Sequence, residues 1–260
     1  MMLTPVVRTI LFLNIIVFIL ESYNPGLIYQ FGLRSFLSPD FNPVQLITHM
    51  FMHAGFMHIF SNMIGLIIFA PMLERVWGPR RFTFFYFFTG IGAALLFSGI
   101  NYFESAGMYD AARTYPLNPS PDAFMDFITR YASGLYDQVS GFMEQYEAQP
   151  NNPALIDGSI KIVNTYFSRQ VYEPMVGASG AIFGIIMAFG MLFPNTQLFL
   201  LFPPIPIKAK YLVIFYGAYE LYSGIYRSQA SNVAHFAHIG GMLFAFILIK
   251  YWGSQRKTFY

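Results

Sequence analysis

Six stretches of this 260-residue chain are apolar for long enough to approach the width of a bilayer, and no other feature limits its fold as strongly. They run over about 6–21, 56–73, 82–100, 178–194, 210–227 and 232–252. A helix needs about 20 mostly apolar residues to cross the hydrocarbon core, where every backbone polar group must be bonded internally. Charged residues make up 11% of the chain, against about 25% in a soluble domain. The expected fold class is therefore an all-α membrane protein, a bundle of six transmembrane helices. The first run, VVRTILFLNIIVFIL, leads into ESYNPGLIYQFG rather than a small-residue cleavage site, so it reads as a retained first span. There is no cysteine, which excludes disulfides, a cysteine nucleophile and thiolate metal sites. A net charge of +2 is too small to imply a nucleic-acid partner.

Basic residues in short loops set the orientation of such a bundle. With the N-terminus in the cytoplasm, nine of the 15 lysines and arginines, from Arg8 to Lys257, fall on the inner side. Of the other six, four lie in the segment 101–175, which is too long for its charge to weigh on orientation. Both termini are then cytoplasmic. Segment 101–175 carries nine acidic residues against those four basic ones and reads as an extracytoplasmic helical insertion between helices 3 and 4. It separates 1–100 (the first three spans and the first outer loop) from 176–260 (the last three). In NPSPDAFMDF, Ser120 caps a helix with Pro121 at its first position. Phe124, Ile128, Tyr131, Leu135, Val139, Phe142 and Tyr146 follow at three- and four-residue steps, predicting one continuous helical face. A second helix is expected from Pro153 to about Gln170. The apolar face is expected to pack on the outer ends of the spans.

In this topology every even-numbered span starts at the outer face, and the polar residues gather there. THMFMHAGFMHIFSNM brings His49, His53, His58 and Asn62 into the second span, GASG brings Ser179 to the start of the fourth, and SNVAHFAHIGG brings His235 and His238 into the sixth. Polar groups in a bilayer are costly and point to function. An isolated serine there commonly bonds a carbonyl one turn back, and small residues often serve only packing. Gly180 and Gly184 on one span, however, match Gly241 and Ala245 on another, and the close approach they allow is what would bring His238 to Ser179. Serine needs a base to become a nucleophile, and imidazole serves near neutral pH. His58 and Asn62, four residues apart, share a helix face and, with the Ser179 backbone N–H, offer donors for an oxyanion. Glu220, the one acid well inside a span, reads as a structural hydrogen-bonding group ahead of one that orients a partner or lines the water cavity. The expectation is a serine–histidine dyad without a third carboxylate.

These residues resemble the rhomboid family of intramembrane serine proteases. The likeness rests on HMFMHAGFMHIFSN, GASG and AHIGG in that order, with LERVWGPRRF and FPNTQLFLLFPPIPIKAKY between them, and it covers about 1–100 and 174–260. It implies Ser179 as nucleophile, His238 as general base, and His58 and Asn62 as oxyanion contributors. Gly177 shapes the turn before the serine, while His53 and His49 belong to the motif that organises the first outer loop. Glu74 is a structural acid at the inner end of the second span, and His235 has no catalytic counterpart. Phe183 stands where some members have a tyrosine against the catalytic histidine, and Val44 where many have tryptophan.

Together with the six apolar runs, the resemblance implies a multi-pass protease of a bacterial plasma membrane that cuts other proteins' transmembrane segments through an acyl-enzyme. Its partners are those substrates and the lipid bilayer; oligomeric state is left open. No cofactor is implied, and no metal: the five histidines lie on one side, but HExxH is absent and no carboxylate beside them offers a metalloprotease base. Gly180 and Gly241 support the site by packing, and the fifth span or the loop after it is the expected gate. The alternative is a catalytically inactive homologue that binds membrane proteins without cutting.

Overall fold

The computed structural model describes residues 3–199, 205–226 and 235–255. The start of the sixth apolar run at 232–234, the loop expected to act as a gate, residues 200–204 of the fourth-to-fifth connection, and Arg227, Arg256 and Lys257 lie outside the described residues.

Helices dominate the described chain. Helix α1 is Pro5–Tyr23, and two short helices, α2 (Gly26–Phe31) and α3 (Gln45–Thr48), follow in the first loop. Then come α4 (Phe56–Trp77), α5 (Pro79–Thr114), α6 (Pro121–Tyr131), α7 (Tyr136–Ala148) and α8 (Pro153–Tyr172). Helix α9 (Ser179–Leu192) leads to a small antiparallel pair, β1 (Gln197–Phe199) and β2 (Pro206–Lys208), with Leu198 opposite Ile207. Helices α10 (Ala209–Tyr226) and α11 (His235–Gln255) complete it. Pro5, Pro79, Pro121 and Pro153 each stand at a first helical position, where the missing N–H is no loss. Among the described residues, the β1–β2 pair and an isolated antiparallel bridge between Leu33 and Met175 depart from an all-α chain.

Two compact units result: Met1–Leu33 with Asn42–Ser98 and Met175–Tyr260, and Arg34–Phe41 with Gly99–Pro174. In the first, α9 is the central element. Its Ile182, Ile185, Ala188 and Phe189 are buried, and α4, α10 and α11 pack around it. Phe69 of α4 meets Phe189 edge-on at 5.2 Å. The outward faces are apolar too: Phe12 and Leu13 on α1, Ile214 and Phe215 on α10, and Ile247 on α11 are exposed. So large an exposed apolar surface belongs against lipid. Four described helices are long and apolar enough to cross a membrane, namely Pro5–Tyr23, Phe56–Trp77, the Pro79–Leu117 stretch and His235–Gly253, while α9 is a shorter apolar helix. The chain is an integral membrane protein.

At one end of this unit LERVWGPRRF, which runs from α4 into α5, ties both helices to α1 and α11. The buried Glu74 carboxylate accepts the Val6 and Val7 N–H groups at 3.0 Å each, and the Thr4 hydroxyl. A side chain of α4 thereby satisfies donors at the N-terminus of α1 that no helical carbonyl can reach. Trp77 packs edge-on against Trp252 at 5.3 Å, and the Arg81 guanidinium lies 4.5 Å over the Trp252 ring. Replacing Glu74 by alanine leaves buried donors unpaired, at about 1–3 kcal/mol for each unsatisfied group. A clear fall in melting temperature in detergent is the expected result.

The second unit has its own core. Phe124, Phe127 and Ile128 of α6 and Tyr146 of α7 are buried with Met108 and Ala112 of α5 and Val163 of α8. Tyr115 donates to the Ser159 hydroxyl at 2.7 Å, and Tyr166 donates to the Tyr131 carbonyl at 2.7 Å. Ser120 caps α6, accepting from the Ala123 N–H at 3.2 Å, as its sequence predicts. Three expectations change. The third apolar helix does not end near 100 but runs on to Thr114, because no proline interrupts it before Pro116. The face from Phe124 to Tyr146 is divided between two helices, broken where Ala132 leaves helical geometry (φ −132°, ψ 35°) ahead of a Ser133–Leu135 turn. That face, expected on the outer ends of the spans, closes within this unit on its own aromatic cluster.

Candidate active site

Ser179 is the first residue of α9, so its hydroxyl and backbone N–H precede the ladder, whose first bond runs from the Ile182 N–H to the Ala178 carbonyl at 3.0 Å. The chain arrives by an extended pairing of Met175 with Leu33, and then Gly177 donates its N–H to the His49 carbonyl at 2.9 Å. Gly177 has φ +121°, and a Cβ there would stand 2.6 Å from His58 Nε2. Both the backbone angle and the space require glycine. The turn ahead of the serine is therefore held by the loop that carries the histidines.

His238, on the first turn of α11, places Nε2 2.8 Å from Ser179 Oγ. Helix approach makes this possible. A Cβ on Gly241 would fall 1.8 Å from the Gly180 carbonyl oxygen, and one on Gly184 would fall 3.1 Å from the Gly241 oxygen. The glycines read from the sequence as packing positions do bring α9 and α11 into backbone contact. Phe183, one turn into α9, stacks flat on the His238 ring, centroids 4.1 Å apart and planes 7° from parallel. Tyr216 of α10 meets Phe183 edge-on at 5.9 Å.

His58 and Asn62 lie one turn apart on α4 and both border Gly177, the Asn62 amide nitrogen at 3.8 Å from where its Cβ would be. The Ala54 N–H donates to His58 Nδ1 at 3.4 Å, so in the neutral ring the proton sits on Nε2, facing the Gly177 turn. Asn62 uses one amide N–H on the His58 carbonyl at 3.0 Å. His53 packs edge-on to His58 at 5.1 Å, and its backbone N–H reaches both oxygens of the buried Glu21 at 3.2 Å. His49 Nδ1 donates to the Gln45 carbonyl at 2.8 Å. Burial pushes both of these loop histidines down to about 4, so both rings are neutral near pH 7. Val44, in the same loop, is exposed.

Two things were not evident in the sequence. Glu220, read as a structural hydrogen-bonding group, lies against both histidines of α11: Oε2 is 2.6 Å from His235 Nδ1 and 3.0 Å from His238 Nδ1. A carboxylate therefore does stand beside His238, on the side away from Ser179. The hint was available, since Glu220 is an acid deep in an apolar run and His235 and His238 are one turn apart. Glu21 is the other residue missed; its position at the end of the first apolar run gave no sign of its bond to the His53 backbone.

A family model described as the Rhomboid domain matches residues 40–109 and 155–255. Over 47 residues the chain is 45% identical to "Putative rhomboid protease YdcA" of Bacillus subtilis (strain 168), a stretch covering 18% of this chain and 24% of that protein. Over 52 residues it is 40% identical to "RHOMBOID-like protein 6, mitochondrial" of Arabidopsis thaliana, covering 20% of this chain and 17% of that one. The matched part of the chain spans under a quarter of the length of either relative.

Proposed function

This chain belongs to the rhomboid family, and on that premise we propose that it is an intramembrane serine protease, hydrolysing peptide bonds in or next to the transmembrane segments of other membrane proteins. The observation that carries the reading is the 2.8 Å approach of His238 Nε2 to Ser179 Oγ, at the N-terminus of a buried helix. As Oγ attacks the scissile carbonyl carbon, its proton passes to Nε2. The tetrahedral oxyanion meets the Ser179 N–H, the His58 Nε2–H and the second N–H of Asn62. Nε2 then returns the proton to the leaving amine, an acyl-enzyme forms on Ser179, and water on the same base releases it. Six spans, cytoplasmic termini, an extracytoplasmic helical insertion at 101–175 and a place in a bacterial plasma membrane complete the proposal.

A fluorophosphonate probe tests it on detergent-purified protein. Covalent labelling that maps to Ser179 is the expected result. A folded wild type that takes up no probe, nor a second class of serine inhibitor, overturns the reading in favour of a non-cleaving binder. The oxyanion assignment has its own measurement. His58→Ala and Asn62→Ala should each lower cleavage of a reporter transmembrane segment by about 10²–10³-fold, the usual loss for one oxyanion donor.

A further inference from the structure

The mechanism above leaves one buried acid beside its base unused. We propose that Glu220 is a positioning residue for His238, so that the site works as a serine–histidine–glutamate relay of orientation. The inference rests on Ser179 and His238 acting as proposed. Glu220 Oε2 and Ser179 Oγ stand at opposite nitrogens of one imidazole, 3.0 Å from Nδ1 and 2.8 Å from Nε2. The Phe183 ring fixes the plane between them. All three members of the acid–histidine cluster are buried, Glu220 with 4% of its surface exposed.

The chemistry follows from the proton count of imidazole. A neutral ring carries one N–H, and an ionised carboxylate only accepts. Glu220 beside Nδ1 therefore favours the tautomer with its proton there, which leaves the Nε2 lone pair for the serine hydroxyl. When the O–H bond of Ser179 breaks and the Nε2–H bond forms, the ring becomes a cation with its Nδ1–H next to the carboxylate. Glu220 stays ionised throughout, and the proton leaves from Nε2. In the free protein the Nδ1–H is not aligned on the carboxylate, although the distance is right. Such bonds commonly tighten only when substrate is bound.

Two other roles are open to the same atoms. Glu220, His235 and His238 lie close enough together to share a metal ion. Neighbouring ligands on a tetrahedral zinc, at 2.0–2.1 Å from the ion, stand about 3.3 Å apart, whereas Glu220 and His235 are at 2.6 Å, the spacing of a direct hydrogen bond. Alternatively, Glu220 only ties α10 to α11 through His235.

The rate of fluorophosphonate labelling, resolved into kinact and KI, separates these roles in wild type, Glu220→Gln, Glu220→Asp and His235→Gln, with melting temperature followed in each. Glu220→Gln is expected to lower kinact by about 10²-fold or more with KI unchanged. Glu220→Asp should recover part of that loss, and His235→Gln, which leaves the carboxylate beside His238, should lower kinact by much less than Glu220→Gln. Wild-type kinact in a folded Glu220→Gln overturns the inference while leaving the protease reading intact. Equal loss of kinact in Glu220→Gln and His235→Gln also overturns it, in favour of the helix tie. Loss of wild-type labelling on metal chelation overturns it in favour of a shared ion. An unlabelled wild type removes the protease reading, and the inference with it.

Discussion

Replacing Ser179 by alanine is expected to bring cleavage of a reporter transmembrane segment down to background, and His238→Ala is expected to do the same. In a serine–histidine unit the two groups act in one proton transfer. Loss of either costs about as much as loss of both, on the order of 10⁶-fold in kcat in a soluble serine protease. The double variant should then be no slower than either single one. The melting temperature should barely move in Ser179→Ala, because among the described residues the one hydrogen bond of Oγ is the 2.8 Å contact with the imidazole, at a half-buried position. Cleavage surviving in Ser179→Ala would mean that the nucleophile lies elsewhere. Strictly multiplicative losses would mean that the two residues do not share a step.

Gly241→Val should be almost as damaging without touching a reacting atom. The Gly180 carbonyl oxygen already occupies the place of a Cβ, at 1.8 Å, and neither backbone can yield as a side chain would. Restoring ordinary contact at about 3.4 Å requires α9 and α11 to part by more than an ångström, and Ser179 and His238 stand near the N-termini of those two helices. A misplacement of about 1 Å at a reacting centre can cost 10²-fold, and overpacking adds about 1–3 kcal/mol of destabilisation. Gly253→Val, farther along α11 with open space around it, should keep both activity and stability. If Gly241→Val cleaves normally, the helix approach is not what sets the geometry of the pair.

What could be read from the sequence was what the chain decides locally. Prolines and the Ser120 cap marked helix starts because they act on the backbone where they stand. The four-residue spacing of His58 and Asn62 placed them on one face for the same reason. Hydropathy was a poorer guide to where helices end. It falls after residue 100, but what changes there is the environment of the helix, and NYFESAGMYDAART has nothing to break it. The face from Phe124 to Tyr146 kept its period through Ala132–Leu135, since a break that conserves phase leaves no mark on apolar spacing. The Glu220 contact was hidden for a different reason. It depends on the register of α10 against α11, which is set by packing between helices and by nothing near Glu220 in the chain.

Helix α9 is 14 residues long, which at 1.5 Å per residue gives about 21 Å against a hydrocarbon layer of about 30 Å. In the proposed six-span arrangement with its inner end level with the lipid boundary, it stops roughly a third of the thickness short. Ser179 sits at that stop. Lipid filling the remaining gap would cover helix-end N–H groups and the proposed nucleophile, which on the proposed mechanism needs water to finish its cycle. The layer must be locally thinner there, or the gap walled off from acyl chains. A transmembrane segment approaching from the side would then leave hydrocarbon before it met the serine, shedding the very environment that keeps it helical. The length of one helix would thus select substrates by how readily they unravel, ahead of any contact with their side chains.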